Sequence, residues 1–196
     1  MRILIACESS GVVREAFRGL GHDAWSCDLL PSDSPHHICG DVLPILGDGW
    51  DMMIAHPPCT YLCSSGLHWN RRRPDRDSLT ENALAFVRSL MDAPIGRIAI
   101  ENPVGRISTA IRRPDQKIQP WMFGDDASKL TCLWLKNLPP LESTQIVEPR
   151  LVDGKPRWGN QNDKGQNKLG ESKNRWRVRS QTYPGIAIAM AEQWGK

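Results

Sequence analysis

Short apolar runs alternate with helical patterns along the first part of the chain. Residues 2–7 form an apolar run rich in strand-forming side chains, and residues 12–20 carry apolar side chains at helical spacing before Gly21. Residues 23–27 predict a second strand. A strand, a glycine-containing turn, a helix and a strand within so short a stretch predict a βαβ unit, whose two strands run parallel.

The alternation continues through the rest of the chain. The same patterns predict four more strands, a long helix with one apolar face and a final helix with a proline near its first turn: residues 37–39, 51–55, 97–100 and 130–135 as strands, and residues 79–91 and 184–194 as helices. Residues 142–179 lack apolar periodicity and predict a loop. The predicted fold class is α/β: a doubly wound, mostly parallel sheet with helices on both faces, in one domain spanning residues 1–196.

Composition places the chain among globular proteins. Of its 196 residues, 40% are hydrophobic and 24% are charged, and a chain of this length can bury about 70% of its unfolded surface. No apolar run approaches the length of a membrane span, and the first apolar stretch is too short for a signal peptide. We therefore expect a cytoplasmic protein, in which the six cysteines are free thiols.

Positive charge is concentrated in residues 150–179, here called the basic segment. It carries nine Lys or Arg against three acidic residues, although the whole chain has a net charge of only +3. A basic surface on a mildly acidic body is typical of a protein that binds a polyanion, and a solvated loop that only aids solubility is the alternative. Trp158 and Trp176 lie in this segment, and Trp69 precedes another basic run, residues 71–73. These indoles could stack on unpaired bases or anchor loops, and that run could contact phosphate or form a solvated turn.

Polar residues follow three of the predicted strands, at the sheet edge where ligands of such folds bind. They are the run from Glu8 through Ser9 to Gly11, then Asp28, then Asp41. Each could simply be a turn residue, but together they suggest a nucleoside cofactor. Since the chain has neither a G-x-G-x-x-G turn nor a phosphate-binding loop, we expect a cofactor without a pyrophosphate, such as S-adenosylmethionine (SAM).

A cysteine and a glutamate follow two later strands. Cys59 comes after Pro57 and Pro58, which restrict the backbone, and Glu101 begins a Glu-Asn-Pro sequence. If these strands are neighbours, a thiolate and a carboxyl group meet in one pocket, a combination suited to attack on a heteroaromatic ring. The alternative is that Cys59 is a small buried hydrophobe and Glu101 an ordinary ion-pair partner.

These motifs resemble those of the DNA (cytosine-5) methyltransferases. Pro57-Pro58-Cys59, with Cys63 and Gly66 at the offsets of a serine and a glycine, is similar to the family's catalytic loop. Glu101-Asn102-Pro103 resembles its glutamate-asparagine-valine motif. Residues 3–28, Gly40-Asp41 and residues 182–194 resemble its cofactor-binding start, third motif and closing motif, so that the similarity covers most of residues 1–141 and 180–195 in family order.

The resemblance implies a Rossmann-like methyltransferase fold, SAM as methyl donor and DNA as substrate, and the short recognition segment predicts a single-stranded target or weak sequence specificity. The Cys59 thiolate would add to C6 of a cytosine taken out of the stack, while Glu101 hydrogen-bonds N3 and the exocyclic amine. The residues implied to bind the cofactor are Glu8, Ser9, Gly11, Asp28 (ribose), Asp41 (adenine) and Pro57. Those implied to bind the substrate are Pro58, Asn102, Pro103 and three arginines of the basic segment, Arg175, Arg177 and Arg179.

The sequence also departs from the family pattern. The glycine-rich first motif is reduced to Gly11, Thr60 replaces a glutamine after the cysteine, and residues 129–134 are the nearest match to an arginine-rich motif. Only about forty residues separate Leu138 from Ser180, too few for the family's target-recognition domain. A methyltransferase acting on a free pyrimidine nucleotide or an RNA base, and a non-catalytic nucleic-acid-binding protein, are therefore alternatives.

A zinc site is a further alternative for the catalytic loop. Cys59, Cys63 and His68 are possible ligands, but a fourth ligand at a recognisable spacing is absent from the sequence. We therefore predict no metal.

Overall fold

A mostly parallel sheet forms the centre of the protein. The computed structural model describes residues 1–67, 73, 75–172 and 175–196. Within these ranges the sheet consists of β1 (Arg2–Ala6), β2 (Asp23–Asp28), β3 (His37–Cys39), β4 (Met52–Ala55), β5 (Arg97–Pro103), β6 (Gln116–Ile118) and β7 (Thr131–Lys136). The order is β3-β2-β1-β4-β5-β7-β6, and only β7 runs against the other strands.

Helices cover both faces of this sheet. The helices of the described ranges are α1 (Val12–Gly19), α2 (Ser64–Leu67), α3 (Asp75–Met91), α4 (Ile107–Ala110), α5 (Arg175–Ser180) and α6 (Pro184–Trp194). Side chains of α1 and α6 pack on one face, around Phe17 and Trp194, and side chains of α3 pack on the other, around Leu84 and Leu90. No helix in these ranges is long and apolar enough to cross a membrane.

The central strands have continuously apolar sequences because they are buried on both faces. All four residues of β4 are buried, as are the last four of β1. Successive residues point to opposite faces, so Ile3 packs toward α1 and α6 whereas Leu4 packs toward α3. Strands buried on both faces by helices lack polar alternation, and this pattern made the parallel sheet predictable.

The predicted fold class is confirmed: the protein has a doubly wound, Rossmann-like α/β fold with a mostly parallel sheet and helices on both faces. The predicted strand at residues 130–135 is β7, the seventh strand rather than the sixth, because β6 has only one buried residue, Ile118, and gave no apolar pattern. The prediction that β5 ends at Ile100 was also wrong. Its pairing with β7 continues to Pro103, beyond the end of β4, so Glu101 and Asn102 lie within the strand.

The prediction of a loop over residues 142–179 was wrong in part. Two short strands, β8 (Arg150–Val152) and β9 (Lys155–Arg157), form a hairpin. Its two turn residues, Asp153 and Gly154, both have positive φ (49° and 71°), as a two-residue Asp-Gly turn requires. Helix α5 also lies in this stretch and has no buried residue, so it produced no apolar stripe.

Candidate active site

The predicted site residues gather at the carboxyl edge of the parallel strands. Ala6 pairs with Cys27 on one side and with Ala55 on the other, and Ala55 pairs with Ile100. The residues that follow these positions are therefore level with one another across four adjacent strands. This alignment places the turn after β1, the end of β2, the loop after β4 and Glu101 of β5 at one edge.

Glu101 is held by the residue that precedes the two prolines. His56 Nδ1 lies 2.8 Å from Glu101 Oε2, and only 9% of each side chain is exposed. Burial alone would raise the pKa of the Glu101 carboxyl, but the hydrogen bond from His56 and the positive charge of Lys129 hold this pKa below its usual value. Glu101 is therefore an ionised, buried carboxylate in the free protein.

Asn102 fixes the backbone of the proline pair. Its side-chain Nδ2 donates a hydrogen bond of 2.7 Å to the carbonyl oxygen of Pro57, which is itself buried. Pro58 and Cys59, the next two residues, are exposed. Two adjacent residues of β5 thus position the start of the cysteine loop: Glu101 binds the side chain of His56, and Asn102 binds the backbone of Pro57.

The loop that carries Cys59 is also tied to the segment after β5. Backbone hydrogen bonds join Arg106 N–H to the Leu62 carbonyl (2.7 Å) and Ser64 N–H to the Val104 carbonyl (3.0 Å). Between them, Cys63 and Gly105 form an isolated antiparallel bridge. Residues 59–66 and 104–106 therefore form one braced unit beside Glu101.

The Cys59 thiol is protonated in the free protein. Burial of the thiol raises its pKa, although the residue as a whole is exposed, and negative charge at Cys63 and Glu101 raises it further. Lys129, which lies just before β7, acts in the opposite direction and lowers this pKa. Glu101 and Lys129 are therefore both close enough to Cys59 for their charges to shift the pKa of its thiol.

This coupling predicts opposite effects of two substitutions on the reactivity of Cys59. Glu101→Gln removes a negative charge, lowers the pKa of the thiol and should speed its alkylation by iodoacetamide several-fold near pH 8, because the thiolate is the reactive form. Lys129→Gln removes a positive charge and should slow the reaction. Peptide mass spectrometry measures the rate at Cys59 alone, and Cys39 provides an internal reference. Equal rates in both variants would contradict the coupling.

The turn after β1 supplies the hydrogen-bond acceptors for the first backbone amides of α1. The Glu8 carboxylate is buried and accepts hydrogen bonds from the backbone N–H groups of Val13 (2.8 Å) and Arg14 (3.2 Å), at the start of α1. Gly11 has a φ of 78°, and a Cβ at this position would overlap the Arg14 guanidinium, so glycine is required there. Ser9 is half-buried. Because Glu8 occupies the first amides of α1, these amides are not free to bind a pyrophosphate.

Asp28 and Asp41 lie beyond β2 and β3 on the same edge. Each accepts a hydrogen bond through Oδ1 from the backbone N–H two residues later: Asp28 from Leu30 (2.9 Å) and Asp41 from Leu43 (3.0 Å). Both aspartates are therefore turn residues, which was one of the two roles that the sequence allowed. The second carboxylate oxygen of each is not used by these contacts. Burial and the two carboxylates, together with Cys27, raise the pKa of Cys7 to about 12, so all of these side chains lie close together.

Lys129 links the site to the end of the basic segment through hydrogen bonds. The ammonium group of Lys129 donates hydrogen bonds to the carbonyl oxygens of Arg179 (3.0 Å) and Gln181 (3.2 Å), at and just beyond the end of α5. Arg177 and Arg179 are exposed, and within the described ranges their side chains make no hydrogen bond or ion pair. Arg175 instead bonds the carbonyl oxygen of Leu169 and stabilises its own loop.

The two described tryptophans of the basic segment have different environments. Trp158 stacks on Trp121 with ring centroids 5.5 Å apart and anchors the segment to the body of the protein. Trp176 on α5 is 57% exposed. Trp69, the zinc ligand proposed at His68 and the phosphate contact proposed at Arg71 and Arg72 lie outside the described residues. Within those residues, no group of three or more His, Cys, Asp or Glu is arranged to hold a metal ion.

Sequence reasoning missed the role of His56 and only noted Lys129. The sequence near these residues does not indicate their roles. His56 binds a residue 45 positions away, and Lys129 lowers the pKa of Cys59, which is also distant from it along the chain. Pro103, a predicted pocket residue, is half-buried and pairs with Thr131 near Lys129. The site therefore combines a cysteine, a histidine–glutamate pair and a lysine.

Comparison with known proteins gives similarities to solved structures alone. No known family model and no curated protein matches the chain. Among solved structures, the chain is similar to an E. coli protein described as a candidate DNA modification methyltransferase encoded within a prophage, with 15% sequence identity and a TM-score of 0.49. The match covers 77% of this chain and 53% of the other, so this chain spans about half the length of that protein.

Proposed function

We propose that this protein is a SAM-dependent DNA methyltransferase that transfers a methyl group to C5 of cytosine through a covalent adduct with Cys59. The observation that supports it most strongly is the position of Cys59, on a braced loop beside an ionised Glu101 at the carboxyl edge of a mostly parallel α/β sheet. A nucleophile next to a group that binds the pyrimidine edge is what addition to C6 requires.

The residues at the β1–β3 edge fit SAM. Asp28 and Asp41 each retain a carboxylate oxygen for a ribose hydroxyl and the adenine amine, respectively, and Glu8, Ser9 and Gly11 form the adjoining turn. The negative charge of this edge favours a sulfonium, whereas a dinucleotide pyrophosphate would be repelled. SAM would supply an electrophilic methyl group there, and Pro57, buried just after β4 on the same edge, would contact it.

The proposed reaction uses three groups of the chain in turn. The Cys59 thiol would release its proton to solvent as its Sγ forms a bond to C6, and the C5–C6 π electrons would shift toward C5. Glu101 would take up a proton as the base binds, share it with N3, and accept a hydrogen bond from the exocyclic amine. C5 would accept the methyl group of SAM, which would leave as S-adenosylhomocysteine. Loss of the C5 proton to water, breakage of the C6–Sγ bond and return of the N3 proton to Glu101 would then restore the ring. Lys129 favours the thiolate, and Pro58, Asn102 and Pro103 shape the pocket.

A trapping experiment tests this function directly. DNA that contains 5-fluorocytosine has no C5 proton to lose, so the protein and SAM should accumulate a covalent complex whose modified peptide contains Cys59. Parallel assays with labelled SAM would use duplex DNA, single-stranded DNA, RNA and dCMP. Absence of label on every DNA, with SAM shown to bind, rejects the DNA reaction. Stronger labelling of RNA or dCMP selects that substrate, and absence of SAM binding favours a non-catalytic protein.

The exposed arginines of α5 predict a salt-dependent DNA affinity. Arg177→Ala with Arg179→Ala should weaken DNA binding about tenfold or more at moderate salt and lower the slope of log K against log salt by about two, one for each lost phosphate contact. Arg88→Ala, an exposed arginine on α3, serves as the control and should change neither quantity. Fluorescence anisotropy measures both. An unchanged slope in the double variant would show that α5 does not contact the phosphates.

A further inference from the structure

His56 occupies an unusual position between the sheet and the cysteine loop. It follows Ala55, the last residue of β4, and its backbone N–H donates to the carbonyl of Ala6 at 2.9 Å. Two residues later the chain turns away at Pro58, toward Cys59. The imidazole therefore has little freedom, because its backbone is fixed on both sides.

The two ring nitrogens of His56 have different environments. Nδ1 is hydrogen-bonded to Glu101 Oε2, whereas Nε2 is buried and has no partner among the described residues. A buried polar atom without a partner destabilises the folded protein, because its desolvation is not compensated. A purely apolar side chain of similar size would avoid this cost, so the packing of this position alone does not explain a histidine.

The bond to Glu101 determines which carboxylate oxygen is available. Since Glu101 accepts a hydrogen bond only through Oε2 among the described residues, Oε1 remains for a ligand. A hydrogen bond to one oxygen of a carboxylate also fixes the rotation of the whole group. The Glu101 backbone is held by its pairing with Leu133 of β7, so the bond from His56 completes its orientation.

We infer that His56 is the positioning residue for Glu101: its Nδ1–H holds Oε2 so that Oε1 faces the edge of the pyrimidine. This inference rests on the proposed function. It assigns His56 no contact with the substrate, and it requires a proton on Nδ1. The charged groups near the pair are Lys129 and, when ionised, Cys59.

Two substitutions separate the hydrogen bond from the packing. His56→Asn keeps an N–H donor near the position of Nδ1, whereas His56→Leu keeps the apolar volume and removes the donor. We expect His56→Leu to lower kcat for methyl transfer about 10²-fold, as misorientation of a reacting group does, with little change in KM for SAM. His56→Asn should recover most of this loss. If His56→Leu does not fold by circular dichroism, His56→Gln, whose amide extends beyond Nδ1, replaces it with the same expectation.

A second measurement does not depend on activity. Carbon-13 NMR titration of Glu101 in the free protein should give a carboxyl pKa below the usual value, and His56→Leu should raise it because the donor is lost while burial remains. Normal kcat in His56→Leu, or a Glu101 pKa that does not move, overturns the inference and leaves the proposed function intact. Failure of the native protein to methylate any pyrimidine overturns the proposed function, and the inference with it.

Discussion

Cys59→Ser should abolish methyl transfer while leaving SAM affinity nearly unchanged. A serine hydroxyl stays protonated at neutral pH and is a far weaker nucleophile, so we expect the rate of methyl transfer to fall by at least about 10³-fold. The variant should fold normally because Cys59 is exposed and its side chain makes no contact on which the core depends. Labelled SAM measures transfer, and isothermal titration calorimetry measures SAM affinity.

Cys63→Ser is the matched control. Cys63 lies four residues away on the same loop and is half-buried, with its Sγ 3.2 Å from the Ser65 hydroxyl, a contact that serine can also make. This variant should retain most of the activity. Substantial methyl transfer by Cys59→Ser would contradict a covalent mechanism, and loss of activity in both variants would point to damage of the loop rather than removal of a nucleophile.

The parts of the fold that could be predicted are those in which burial leaves a pattern. Strands β1 and β4 are buried on both faces and therefore continuously apolar, and α6 begins with Pro184 as predicted. Strand β6 and helix α5 contribute almost nothing to the core, so their sequences carry no comparable signal. The Asp153-Gly154 turn is different, because its sequence is a known hairpin signal and sequence reasoning overlooked it.

The position of the candidate site was predictable, but the hydrogen bonds between its residues were not. Parallel strands share a carboxyl edge, so the polar residues after β1, β2, β4 and along β5 had to lie near one another. The contacts that define their roles join residues distant in sequence, such as Asn102 with Pro57, and depend on the register of the sheet. Glu8 shows the same limit, since its carboxylate caps α1 through amides five and six positions later.

Gly105→Ala should disable the site without touching any group proposed to react. A Cβ at Gly105 would overlap the carbonyl oxygen of Leu62 and lie 2.8 Å from Cys63 Cα, both of them backbone atoms that cannot rotate away. The cysteine loop must therefore move away from the segment after β5, which separates Cys59 from Glu101. We expect a loss of about 1–3 kcal/mol in the free energy of unfolding and a fall of about 10²-fold in methyl transfer.

Gly96→Ala is the appropriate comparison because Gly96 directly precedes the same strand, β5. A Cβ at Gly96 meets nothing within 4 Å, and its φ is not positive. This substitution should change the free energy of unfolding by about 0.5 kcal/mol or less and leave methyl transfer intact. Urea denaturation and the labelled-SAM assay measure the two effects. If Gly105→Ala were as stable and active as Gly96→Ala, the braced unit of residues 59–66 and 104–106 would not be what holds Cys59 beside Glu101.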